Sequence, residues 1–348
     1  MTPTPHAPSP DLRWLPLSSE GVEAAFAIDP TPWPLPLGEV ARWGGEASPF
    51  LGQGPASWVV VPGRAALLVG VNPRAAGGPL GMFGWLRLAP DVAGPERTAV
   101  VAALIAAARD FTRRHGATRL RGPMTFSTWL PYRVLAEDSP AGEAGFPGEG
   151  VEPAARNALY TDAGLVVTDR YLTQAVPDDP DYWEVELARE AALASRRGGG
   201  LHVRAVEAGE GPTLLPRIHT WLNATFAGAP YFTPIGPAEL AERIVGRAPA
   251  DVEAVHLVAL DGTGDPQGVL VGFLHGDRGI LKTVAVSPAV RGGRAAMALT
   301  FGFHRWVRSR GTTCAWHAQM HEGGISRRMS AKHARPVRRY VLYGDAHH

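Results

Sequence analysis

The run Lys282-Thr283-Val284-Ala285-Val286-Ser287-Pro288-Ala289-Val290-Arg291-Gly292-Gly293-Arg294-Ala295-Ala296-Met297-Ala298-Leu299 constrains this chain more than any other stretch. An apolar run ends at a Pro-containing turn, an Arg/Gly loop follows, and an alanine-rich run begins at once. In physical terms this is a strand, a tight connection of small residues and the first turn of a helix. A helix starts with backbone N–H groups that lack intrahelical partners and with a partial positive charge. Glycines ahead of it let a ligand approach the main chain, so the place suits a phosphate or pyrophosphate. Arg291 and Arg294 add planar cations whose donors match phosphate oxygens.

The rest of the chain predicts two α/β domains in tandem. With 348 residues it exceeds one average domain. In the first half, Trp58 to Val61 and Ala65 to Val71 read as a hairpin across Pro62-Gly63-Arg64, and Leu80 to Leu88 as a third strand. A helix from Pro95 to His115, a strand from Thr118 to Arg121, a helix from Pro153 to Ala163 and a strand from Leu165 to Val176 follow. A polar helix from Asp178 to Arg197 ends at Gly198-Gly199-Gly200 and joins the halves. The second half repeats the order, with strands at 201–206, 255–260, 268–275, 280–286, 312–320 and 337–343, and helices at 212–226, 237–247, 294–310 and 326–333. The expected division is a Pro-rich tail over 1–10, a first domain over 11–177, a connector over 178–200 and a second domain over 201–348.

Composition narrows the function classes. The chain is 45% hydrophobic and 19% charged, as in an ordinary globular protein. Its net charge of +1, with Lys282 and Lys332 as the only lysines, gives no global attraction to nucleic acid or an anionic membrane. No apolar run approaches the roughly 20 residues of a membrane helix. Cys314 is the single cysteine, so no intrachain disulfide forms, and a cytoplasmic setting is expected.

Several motifs in order resemble the GNAT superfamily of N-acetyltransferases. Its acyl-CoA loop follows the fourth strand, opens the third helix and reads V-x-P-x-x-R-G-x-G-x-G/A. Arg291, Gly292 and Ala296 match, and Arg294 stands at the second glycine. The first half resembles the amino-terminal domain of a bacterial two-domain subfamily. The matching segments there are Asp29-Pro30-Thr31-Pro32-Trp33-Pro34-Leu35-Pro36-Leu37, Ser48-Pro49-Phe50, Gly81-Met82-Phe83-Gly84-Trp85 and Arg121-Gly122-Pro123-Met124-Thr125-Phe126-Ser127. The resemblance implies an α/β (α+β) fold of two tandem GNAT-like domains, each a mixed, mostly antiparallel sheet flanked by helices. It implies acetyl-CoA as co-substrate in the second domain alone. In the first domain the segment 89–98 carries Asp91 and Glu96, and carboxylates at a phosphate site repel the ligand.

Acyl transfer from a thioester to an amine needs a held donor, a polarised carbonyl and a deprotonated amine. The resemblance assigns the donor to the main chain of Gly292, Gly293, Arg294, Ala295 and Ala296 with Arg291, and the carbonyl and pantetheine to the main chain of Val284, Ala285 and Val286. It sets Gly323 at the position of a family asparagine, Ser326 at a small residue and Ser330 at the tyrosine that protonates the leaving thiolate. His317, His321 and Glu322 fall on or just past the fifth strand of the second half and are candidate bases. His317 and His321, four apart on a strand, put their rings about 13 Å apart, too far for one metal ion, so no metal is expected. Trp129, Pro131, Tyr132, Tyr160, Tyr231 and Phe232 are an aromatic set suited to an acceptor cleft.

The acceptor expected is a small-molecule or peptide amine, with no nucleic acid or membrane partner and a monomer or homodimer as the working form. Two alternatives stand beside the acyltransferase. One is a catalytically silent CoA- or ligand-binding protein on the same fold, suggested by Gly323, Ser330 and Arg294. The other is an aminoacyl transferase using charged tRNA, which the near-zero net charge disfavours.

Overall fold

The computed structural model describes residues 11–346 apart from 31–53, 76, 126, 131, 138–144, 187, 189–200, 208, 245–251 and 291–293. The tail, the segments 31–37 and 48–50, Phe126, Pro131, most of the connector, and Arg291, Gly292 and Gly293 thus lie outside the described residues. Two compact units form. Unit 1 comprises Met1–Asp138, Gly150–Asp169 and Val341–His348, and unit 2 comprises Ser139–Glu149 and Arg170–Tyr340.

Unit 1 contains β1 (Arg13–Pro16), α1 (Ser19–Ile28), β2 (Ala56–Val61), β3 (Ala65–Asn72), β4 (Leu80–Leu88), α2 (Gly94–Arg114), β5 (Arg119–Gly122), β6 (Val134–Leu135) and α3 (Asn157–Asp162). It also holds the start of β7 (Val166–Ala175) and the end of β13 (Arg335–Gly344). Its strands pair antiparallel in the order β1-β2-β3-β4, and β4 and β5 are parallel. The end of β13 lies antiparallel to β5 through Tyr343↔Gly122 and Gly344↔Arg121. The expected hairpin turns at Gly63, whose φ of 66° only glycine adopts without strain. The helix expected over 153–163 splits into a 3-10 turn at Ala154–Arg156 and α3. Helix α2 sets Val101, Leu104, Ile105 and Ala108 into a core with Val59, Leu67 and Val69. Tyr160 belongs to that same core and is fully buried, so it is a packing residue of unit 1.

The two glycine motifs of the first half are halves of one packing device. Strands β4 and β5 pair from Leu80↔Arg119 to Met82↔Arg121, and the chain then stays against β4, where Met124 N donates to Phe83 O at 2.7 Å. A Cβ at Gly84 would lie 2.8 Å from Met124 O, and one at Gly122 2.3 Å from Phe83 O. Trp85 Nε1 donates to Thr125 Oγ1 on the same seam. At the start of α2, Arg64 bridges Asp91, ahead of the helix, at 2.6 Å and Glu96, in its first turn, at 2.9 Å.

Unit 2 contains β8 (His202–Ala205), α4 (Gly211–Phe226), α5 (Pro237–Ile244), β9 (Glu253–Leu260), β10 (Pro266–His275), β11 (Arg278–Val286), α6 (Arg294–Ser309), β12 (Cys314–His321) and α7 (Ile325–Ser330). Residues 180–186 of the expected connector are helical. The sheet runs β7-β12-β11-β10-β9-β8, and β11 and β12 are its parallel pair. Helix α6 lies against three strand glycines. A Cβ would sit 2.8 Å from Leu299 at Gly268, 2.5 Å from Phe303 at Gly272 and 2.3 Å from Val307 at Gly279. Leu299, Phe303 and Val307, spaced four apart, form the buried stripe of α6, so helix and sheet approach closely. That seating places the start of α6 just beyond the end of β11.

Gly279→Ala is expected to destabilise the protein by about 1–3 kcal/mol through overpacking. Val307→Ala in the same chain should recover part of the loss in a double-mutant cycle read by urea denaturation. Additive losses would show that the two sites do not touch.

Candidate functional site

Strands β11 and β12 pair from Arg278↔Cys314 to Leu281↔His317 and then part. Beyond that point β11 continues along β10, with Thr283↔Val271 through Val286↔Gly268. Meanwhile β12 follows β7, with Met320↔Leu172 and His321↔Tyr171. Two parallel strands that each keep an outer partner but lose one another leave a fork lined by main-chain edges.

One face of the fork is held by side chains standing in for the lost ladder. Lys282, one residue past the last β11–β12 pair, donates to Gln319 Oε1 across the fork and to Gly148 O at 2.8 Å. Gln319 Nε2 donates to Glu149 O at 2.6 Å. The Gln319 backbone has a φ of 54° at the register shift between β12 and β7, and its N–H turns to Thr173 Oγ1 at 3.1 Å. Behind it, Arg338 forms a buried pair with Glu149 at 2.7 and 3.1 Å, and Tyr340 donates to Glu149 Oε1 at 2.6 Å. Burial beside the Glu149 carboxylate pushes the Tyr340 phenol well above its usual range.

The other face, toward α6, carries a chain of three side chains. His317 Nδ1 lies 2.7 Å from Ser330 Oγ, and its Nε2 lies 3.0 Å from Nε2 of His304 on α6. The two rings stack at 5.2 Å with an interplanar angle of 11°. His304, His317 and Ser330 are all buried. Burial, with His333 nearby, pushes His317 down to about 3, and burial beside His317, His333 and Arg305 pushes His304 well below the ordinary histidine value. Both imidazoles are therefore neutral at physiological pH.

The structure brings His317 and Ser330 together at the base of the fork and sets the other candidates apart. His321 ends β12, where its ring meets Tyr171 edge-on at 5.1 Å and its Nδ1 accepts from Gly323 N at 3.2 Å. Glu322 is exposed, and its N–H donates to Arg170 O at 2.9 Å. Ser326 is exposed in the first turn of α7. Ala285 is buried, Val284 and Val286 are half-buried, and Val286 O accepts from Thr225 Oγ1 of α4 at 2.9 Å. Arg294 opens α6, Ala295 is buried and Ala296 half-buried. The sequence did not single out His304, Lys282 or Gln319 for the site. His304 follows Phe303 on the buried side of α6, and a histidine there was the one local signal.

Among the described residues no group of His, Cys, Asp and Glu is arranged to hold a metal ion, and no helix is long and apolar enough to cross a membrane.

Neutral buried histidines couple stability to pH. His317 binds a proton near 6.5 when unfolded and near 3 when folded. Between those values the unfolded state holds the extra proton, so stability falls as pH falls, by about 1.4 kcal/mol per pH unit for one such histidine. The urea midpoint should therefore drop between pH 7 and pH 5, and His317→Gln should flatten that dependence. An unchanged slope in the variant would show that His317 is not the titrating group.

A family model described as an acetyltransferase (GNAT) domain matches residues 185–317, which include β11, α6 and the first half of β12. No curated protein matches the sequence. Solved structures share the fold over nearly the whole chain. A tandem GNAT protein from the clavulanic acid biosynthesis pathway is 16% identical, with a TM-score of 0.52 over 96% of this chain and 98% of that one. A GCN5-related N-acetyltransferase from Kribbella flavida is 12% identical, with a TM-score of 0.52 over 97% of this chain and 71% of that one. A protein of Enterococcus faecalis V583 described as a probable N-acyltransferase is 10% identical, with a TM-score of 0.55 over 96% and 72% of the two chains. Residues 185–317 thus match a GNAT acetyltransferase domain, and the chain as a whole shares the fold of tandem GNAT proteins.

Proposed function

We propose that the protein is an N-acyltransferase that uses acetyl-CoA and passes the acyl group to the amine of a small-molecule or peptide acceptor by direct attack on the thioester. The observation that carries this reading is the fork between β11 and β12, whose β11 arm lies in the segment matched by the acetyltransferase domain and leads through the Arg/Gly sequence into α6. Main-chain groups of Val284 to Val286 on the fork side, apart from Val286 O, which Thr225 holds, suit the amide groups of a pantetheine arm. Gly292 to Ala296, with Arg291 and Arg294, supply the N–H groups and cations for the pyrophosphate. Bound acetyl-CoA supplies an activated acyl carbon and a thiolate leaving group. Unit 1 lacks the fit: its chain closes against β4 at Phe83, and Asp91 stands ahead of α2 with Glu96 in its first turn.

The setting in this reading is cytoplasmic, with a monomer or homodimer as the working form and no nucleic acid or membrane partner. A second reading, a silent ligand-binding protein, is favoured by one observation: the Ser330 hydroxyl is buried and already engaged by His317.

Titration calorimetry with acetyl-CoA separates binding from its absence, and CoA release in an amine screen separates the enzyme from the silent protein. Micromolar binding is expected, weakened at least about tenfold in Arg291→Ala, the loss of one charge-assisted phosphate contact. A folded wild type that binds neither acetyl-CoA nor CoA would overturn the acyltransferase reading. Binding without CoA release from any amine would favour the silent protein.

A further inference from the structure

We infer that Ser330, His317 and His304 form a directional proton relay, which carries a proton from the fork to a small cavity beside His304. Its mechanistic use rests on the acyltransferase reading, but its direction is a property of the folded chain alone.

The direction follows from hydrogen-bond accounting. A buried hydroxyl must donate its proton, and the only acceptor facing Ser330 Oγ among the described residues is His317 Nδ1, 2.7 Å away. If Nδ1 accepts, the neutral His317 carries its proton on Nε2 and donates it to His304 Nε2 at 3.0 Å. His304, also neutral, then carries its proton on Nδ1. Its ring lines a cavity of about 10 Å³, the space of a single water, together with His333, Trp183, Tyr182 and Glu186. The O–H of Ser330 and the N–H of His317 are thus both directed away from the fork toward His304, whose ring lines the cavity.

Such a row moves a proton without forming an imidazolium. When the acceptor amine attacks, the C–N bond forms and the C–S bond breaks. The amine's proton passes to Ser330 Oγ as the Ser330 proton passes to His317 Nδ1. The His317 Nε2 proton passes to His304 Nε2, and the His304 Nδ1 proton leaves to water in the cavity. The departing thiolate takes a proton from solvent, so the sum is amide plus CoA. Both rings exchange tautomers and stay neutral, which suits two imidazoles too buried to hold charge. His317 and His304 are positioning residues, because they act through Ser330.

The test is the tautomer of each ring, read from long-range ¹H–¹⁵N spectra of the imidazoles in uniformly ¹⁵N-labelled protein with no ligand. The expected pattern is opposite neutral tautomers, Nε2–H for His317 and Nδ1–H for His304, assigned with His317→Gln and His304→Asn. Ser330→Ala, a small change in volume, should shift His317 Nδ1 toward the value of a free lone pair and leave the His304 tautomer in place. The reverse pattern, Nδ1–H for His317 with Nε2–H for His304, would overturn the relay, as would a charged ring at pH 7. In kinetics with acetyl-CoA and hydroxylamine as the amine, Ser330→Ala is expected to lower kcat by about 100-fold, with KM for acetyl-CoA within twofold. An unchanged kcat would overturn the use of the relay. The two failures are distinct: a wild type that does not bind acetyl-CoA removes the acyltransferase reading, whereas reversed tautomers remove the relay and leave binding intact.

Discussion

The candidate site depends on one interruption of backbone pairing, the parting of β11 from β12 after Leu281↔His317. A parallel pair inside a sheet ordinarily keeps its ladder, because unpaired main-chain groups shielded from water are costly. Here the cost is offset on one side by Lys282 reaching Gln319 across the gap, and by Gly148 and Glu149 accepting from both. A buried Arg338–Glu149 pair with Tyr340 and Thr173 fixes that support in turn. Removing one member of such a pair would leave a buried charge without a partner, which is why the group acts as a unit.

Unit 1 shows the alternative outcome from similar parts. It has the same parallel pair, β4 with β5, but Gly84 and Gly122 allow the chain to close down on β4, and Met124 takes Phe83 O. Asp91 and Glu96 are gathered by Arg64 at the start of α2, where unit 2 has its Arg/Gly sequence. The two units thus differ at the equivalent place: in unit 2 the parallel strands part, and in unit 1 the chain stays closed on β4 beside two carboxylates.

Local sequence revealed much of this and hid the rest for physical reasons. The strand–loop–helix at 282–299 was legible because proline, glycine and a stripe of small and apolar residues mark their elements within a few residues of chain. Strand β1, helix α1 and the two-residue β6 were missed: they are short, and tertiary packing decides them. Gly268, Gly272 and Gly279 read as weak strand positions until Leu299, Phe303 and Val307 are seen against them. Which sheet β7 and β13 join is not written in their alternation, which looks the same for either. The support of the fork joins Glu149 to Arg338 across 189 residues, and no pattern in either segment points to the other. Ser330 and His317 were legible as candidates, one from the family motif and one from its place on a strand. Their link onward to His304 required the packing of α6 against β12.

The claim at the centre of this account is that acyl-CoA is held by the opening in unit 2 and by nothing equivalent in unit 1. Hydrogen exchange followed by mass spectrometry, with and without saturating acetyl-CoA, tests it most directly. The account predicts slowed exchange confined to peptides covering 282–299 and the end of β12. Protection over 83–98 of unit 1, or no protection anywhere in a folded protein, would contradict it.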